Sequence, residues 1–352
     1  WKDLVPMCTS CLNRSILREA PIPVRHMGMH MARIITVTAM TIEKRLAAMV
    51  CLTLLTTVLP EMLSGNTPAE ILFRPDTFIF FALAYALPII VIREWSMRLG
   101  LNGGGIFLAG MGYGLINEGL LAKTIFIEAG GPIDVFDQYG FAFGVNFPWL
   151  AVIIAWHGLS SVLLPIVLTH QLVPEAAVGP WFGKKTAWFM AVLAAVLASL
   201  FFLNDESSGA MGSLPMLAAL WIAIALFAFA GSRLKVVIGT AGFVTRWKPF
   251  LFGLSGLVFF IAILLVAQAD APIALYFAAF AALAFLWVTL LRRNGWQNNP
   301  AFSRVAHGWY AQMAGFGWIN VVHRSPLTVV FGAVILLLMH WLLQRTERAS
   351  AK

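Results

Sequence analysis

"GMGYGLINEGLLAK", residues 110–123, sets a glutamate, Glu118, in the middle of an apolar run, with Asn117 beside it and Lys123 five residues on. A charged group inside hydrocarbon costs roughly 2.5–3.5 kcal/mol even on translocon scales. Something must offset that cost, or the carboxyl must be neutral. Of its 352 residues 60% are hydrophobic and 11% charged, and the mean hydropathy is +0.83. Soluble domains carry about 25% charged residues, so a soluble fold of this composition could not cover its own surface. The expected fold class is all-α: a polytopic bundle of transmembrane helices embedded in the lipid bilayer.

A bilayer core needs roughly 20 helical residues to cross. Runs of that kind cover residues 46–63, 77–92, 104–126, 149–170, 187–203, 213–231, 250–268, 272–291 and 326–343, and a polar-interrupted run covers 305–322. Cytoplasmic loops retain Lys and Arg. With ten spans and both termini cytoplasmic, 21 of the 24 basic residues fall on one side, leaving Arg74, Lys123 and Arg324. With nine spans the division is 19 to five, so ten fit better. The expected domains are a basic tail at 1–44, one transmembrane domain at 45–343 and a short tail at 344–352, in a cell (inner) membrane.

The net charge of +8 does not form a nucleic-acid face, because the basic residues sit in short groups between apolar runs. "CTSC" (8–11) is half of a zinc spacing with no second pair. The chain opens on Trp1, with Met27, Met29 and Met31 as candidate starts. Residues 1–44 hold six basic residues and no long apolar core, which argues against a cleaved signal peptide.

On a helix, Gly110, Gly114 and Glu118 share one face. The Gly-x3-Gly spacing lets a second helix approach closely, so Glu118 is expected to face protein. Counted from the same side of the bilayer, Glu118, His157 and Tyr85 come out at one depth, roughly 12 Å in. A carboxyl and an imidazole in low dielectric can share a proton or hold a metal or substrate; in their neutral forms they avoid most of the insertion cost. Asn117 belongs to the same cluster, and Lys123 is expected to reach the interface by its long stem. Pro88 and Pro165 mark kinks, and Arg93 and Arg98 read as cytoplasmic anchors.

"NEGLLAK" (117–123) and "WHG" (156–158) resemble the CAAX-processing and bacteriocin-processing membrane proteases, whose paired glutamates and later histidines activate a water within the bilayer. The resemblance covers residues 110–160, with Asn117 standing where that family has its first glutamate. It implies Glu118 as general base and His157 as its partner, acting on a membrane-embedded peptide. The composition and the Glu/His pair equally suit a proton-linked permease for a small solute, which is the first choice. A structural or assembly subunit is the third reading. Cofactor, metal and oligomeric state stay open.

Overall fold

The computed structural model describes residues 40–131, 133–204, 213–234, 248–293, 300–321 and 325–350. The CTSC stretch, most of the 1–44 tail and most of the 204–213 connection lie outside them. Thr41 caps the first helix through its side chain, and α1 runs Ile42–Leu63. A short α2 (Ala69–Leu72) leads into α3 (Pro75–Leu99), which ends at Gly100 in the left-handed region, the backbone that favours glycine. Asn102 then caps α4, Gly103–Leu115.

The run expected as one span over 104–126 is not uniform. After Leu115 it widens into a π-helical segment, Ile116–Leu121, closed by an i+5 bond from the Ala122 amide to the Asn117 carbonyl. Lys123, at φ +56°, stops it, and a 3₁₀ turn follows at Thr124–Phe126. The connection beyond carries a two-residue hairpin, β1 (Phe141–Ala142) against β2 (Val145–Asn146). Asn146 caps α5, Phe147–His157; a second π segment, Gly158–Leu163, joins it to α6, Leu164–Leu172.

The later helices are α7 (Lys184–Asn204), α8 (Leu214–Ser232), α9 (Lys248–Gln268), α10 (Ile273–Arg293), α11 (Pro300–Val321) and α12 (Pro326–Ser350). All-α architecture is thus the finding, and the described part forms one compact unit. Among the described residues, five stretches can cross a membrane by length and composition: Ile42–Leu63, Pro75–Leu99, Phe147–Leu172, Lys184–Asn204 and Leu214–Ser232. Gly253–Gln268, Ile273–Leu286 and Pro326–Leu342 are shorter apolar helices.

Burial separates core from rim. In Phe147–Leu172, 78% of the most apolar stretch is buried inside the protein, against 11% for Leu214–Ser232. The first is therefore the central rod, and the second turns Leu214, Ile222, Leu226 and Phe229 outward. Van der Waals packing, not hydrophobic exclusion, must hold such helices together in lipid. Glycines make the packing close. A Cβ on Gly110 would sit 2.8 Å from the Gly158 Cα, and one on Gly114 would sit 2.6 Å from the Ile154 Cα. Thus α4 and the central rod touch backbone to backbone, on the face the Gly-x3-Gly spacing marks.

Gly110→Val and Gly114→Val are therefore expected to overpack this contact and cost at least about 1–3 kcal/mol. Gly112→Ala, whose added methyl meets nothing nearer than 3.4 Å, should leave the thermal midpoint of the detergent-purified protein unchanged.

Candidate functional site

The close approach brings Glu118 to His157. Glu118 Oε1 lies 2.8 Å from His157 Nε2, and His157 Nδ1 lies 2.9 Å from Ser161 Oγ. The Thr124 hydroxyl donates to Glu118 Oε2, while Thr124 Oγ1 accepts from the Trp149 indole N–H at 3.0 Å. The result is a continuous chain, Trp149–Thr124–Glu118–His157–Ser161, buried throughout its carboxyl–imidazole section. Glu118 sits within one π segment, and His157 immediately precedes the other. A π turn adds a residue to the helical register and re-aims the side chains on it, and such turns recur at functional sites.

Tyr85 shares this layer but turns its hydroxyl elsewhere. Its ring centroid lies 6.1 Å from that of His157, and its hydroxyl donates to Glu61 Oε1. The Thr67 hydroxyl donates to the other Glu61 oxygen at 2.6 Å. Glu61 is thus a second buried carboxyl beside the first, in the last turn of α1. The sequence reading passed over it because it falls at the edge of an apolar run, where an acid reads as interfacial. The available signal was its position directly after Pro60, within the helical stretch.

Tyr113 completes the layer. Its ring stands edge-on to His157 at 5.7 Å, and its hydroxyl accepts from the Asn117 amide at 2.9 Å. The same hydroxyl donates to the Ala84 carbonyl at 3.4 Å. Pro88, four residues after Ala84, has no N–H to give that carbonyl, and the tyrosine takes its place. A parallel exchange occurs in the central rod. In the π register the Ser160 carbonyl would meet the nitrogen of Pro165, which bears no hydrogen; the Tyr310 hydroxyl donates to that carbonyl at 2.6 Å.

Two expectations need correction. Lys123 does not reach the interface: it is 1% exposed, and its ammonium lies 5.4 Å from the Phe202 ring centroid. Lys123 itself stands in the left-handed region, at φ +56°, between the π segment and the 3₁₀ turn. Nor are Arg93 and Arg98 simple surface anchors. Arg93 is 0% exposed, pairs with Glu94 at 3.3 Å, donates to the carbonyls of Ala176 and Gly179, and stacks over Trp181 at 4.0 Å. Glu94 also pairs with Arg98 at 2.9 Å and accepts the amides of Trp181 and Phe182. This cluster pins the 173–183 connection, because each member has a hydrogen-bonded countercharge or carbonyl.

Among the described residues no group of three or more His, Cys, Asp or Glu is placed to hold a metal ion. His340 and His307 stack against each other, with ring centroids 4.9 Å apart, far along the chain from the Glu118–His157 pair. Outside the spans, the Ser325 hydroxyl holds the Glu70 carboxyl below its usual range, and Lys44 does the same for Glu175.

The model of a family described as "Uncharacterized membrane protein family" matches residues 50–344. An uncharacterized protein of Archaeoglobus fulgidus is 28% identical over 156 residues, which are 42% of this chain and 48% of that protein. The chain therefore spans about half the length of that relative. No solved structure matches.

Glu94→Gln is expected to leave Arg93 and Arg98 buried without their shared countercharge. A loss of about 3–5 kcal/mol should follow, read as a lower thermal midpoint and faster limited proteolysis within residues 173–183.

Proposed function

Because the chain belongs to this uncharacterized membrane protein family, we propose its activity from the site alone: a proton-linked carrier of a small solute, with Glu118 and His157 as the proton-binding pair. One observation carries the reading, namely that His157 holds a carboxyl on one ring nitrogen and a hydroxyl on the other. Two donor arrangements satisfy all three groups. With Glu118 ionised, Nε2–H donates to it and Ser161 donates to Nδ1. With Glu118 protonated, the carboxyl donates to Nε2 and Nδ1–H donates to Ser161. The two arrangements differ by one proton, and in both the carboxyl and the two ring nitrogens stay hydrogen-bonded, so the pair can take up or release a proton without exposing a bare charge to hydrocarbon.

Tyr85, Glu61 and Tyr113 would form the wall through which a solute is sensed, and Asn117 holds Tyr113 in place. Ten spans with both termini on the cytoplasmic side of a cell (inner) membrane go with this reading. The second reading, hydrolysis within the bilayer, draws on the same bonds. Ser161, His157 and Glu118 are linked in the order nucleophile, base and orienting carboxylate, and Glu118 could instead activate a water on a membrane-embedded peptide.

The experiment uses proteoliposomes loaded with a pH-sensitive dye and challenged with a panel of small solutes under an imposed gradient. Wild type should acidify the lumen with at least one solute, and Glu118→Gln and His157→Gln should reduce that rate at least a hundredfold. Wild-type vesicles indistinguishable from empty ones across the panel would defeat the carrier. Covalent labelling of the wild type by a fluorophosphonate, lost in Ser161→Ala, would favour hydrolysis.

A further inference from the structure

Beside the polar chain, and walled by none of its ionisable groups, lies a cavity of about 260 Å³. Most of its wall is apolar: Phe107, Leu159, Phe259, Phe280, Leu283 and Met313 contribute. Its polar wall is graded. Ser64 and Asn66 lie just past the end of α1, at the end of the bundle where Ile133 and Trp149 also line the space. At that end Gly65 packs on Gly317 of α11. Gln312 lies five residues earlier on α11, roughly 7.5 Å further in. Past Gln312 the lining side chains are hydrocarbon, aromatic or glycine, and among the described lining residues there is no ionisable group.

We propose that this cavity binds a neutral single-chain amphiphile of the monoacylglycerol type, with its chain among the aromatic rings and its uncharged head at Ser64, Asn66 and Gln312. Size sets a single, short chain, because ligand pockets run from roughly 300 to 1,000 Å³ and this one, at about 260 Å³, lies below that range. The wall chemistry sets the neutral head. A hydroxyl and two amides offer donors and acceptors together, whereas a carboxylate or phosphate buried there would find no cation among the lining residues.

Three indoles wall the cavity, and each touches the neighbouring polar chain or its π segment. Trp149 donates to Thr124, whose hydroxyl holds Glu118. Trp156 stands edge-on to His157 at 4.9 Å. Trp309 donates to the Ser160 hydroxyl at 2.7 Å. An occupant packed on these rings therefore bears on the groups that position the Glu118–His157 pair. The proposal rests on the carrier reading only where it makes the occupant the cargo.

The test is contact quenching of tryptophan in phosphatidylcholine nanodiscs, with a monoacylglycerol whose chain carries two mid-chain bromines. Wild type should show a saturable component above the linear background from lipid-facing indoles. Unbrominated monoacylglycerol should reverse it, and the brominated free fatty acid should bind at least tenfold more weakly. Ala284→Phe, which fills the cavity, should weaken the saturable component at least tenfold. Linear quenching in the wild type with no competition, or an equal or better response to the charged fatty acid, would overturn the proposal without reference to any variant. Saturable quenching without solute-driven acidification would leave the pocket standing and remove only the carrier reading.

Discussion

The contact on which the site depends is between two backbones. Gly110 and Gly158 meet with no room for a methyl group, and Gly114 lies as close to Ile154. Only at that separation can a short carboxyl side chain on α4 reach an imidazole on the central rod at 2.8 Å. In water a poorly placed carboxylate is simply solvated. Inside a bilayer it has no such recourse, so the small residues and the ionisable ones have to be read as one device. The π segments belong to the same device, because they set the direction in which Glu118 and Ser161 point once the helices have met.

Much of this is legible in the sequence. Run length marked the apolar helices, since an apolar run of membrane-crossing length has few alternatives. The spacing of Gly110, Gly114 and Glu118 located the contact face. Counting from the run boundaries put Glu118, His157 and Tyr85 in one layer, and the rings and hydrogen bonds described above lie there. The resemblance to membrane proteases turned on Glu118 and His157, and the chain's family and its Archaeoglobus relative carry no description of that activity.

What was not legible has physical reasons. Hydropathy cannot tell an interfacial acid from one folded inward at a helix end, so Glu61 was missed. Nor can it register a change from α to π winding, which alters the register without altering the composition. Lys123 and Arg93 look like interfacial cations because long basic side chains near span ends usually snorkel. Here one is buried against the Phe202 ring, and a folded connection rich in carbonyls covers the other. The later helices supply Trp309, Tyr310 and a wall of the cavity.

The prolines have a consequence for how such a bundle finds its own arrangement. Hydrocarbon faces of Leu, Ala and Phe pack about equally well against many neighbours, so they discriminate poorly between helices in lipid. A carbonyl freed by Pro88 or Pro165 can be satisfied only where a phenol hydroxyl arrives at the right height on the right partner. Tyr113 meets that condition for α3, and Tyr310 meets it for the central rod. Each proline thus removes a bond that any helix makes with itself and leaves a vacancy that a particular neighbour fills, so the pairing of helices is written partly in missing hydrogens.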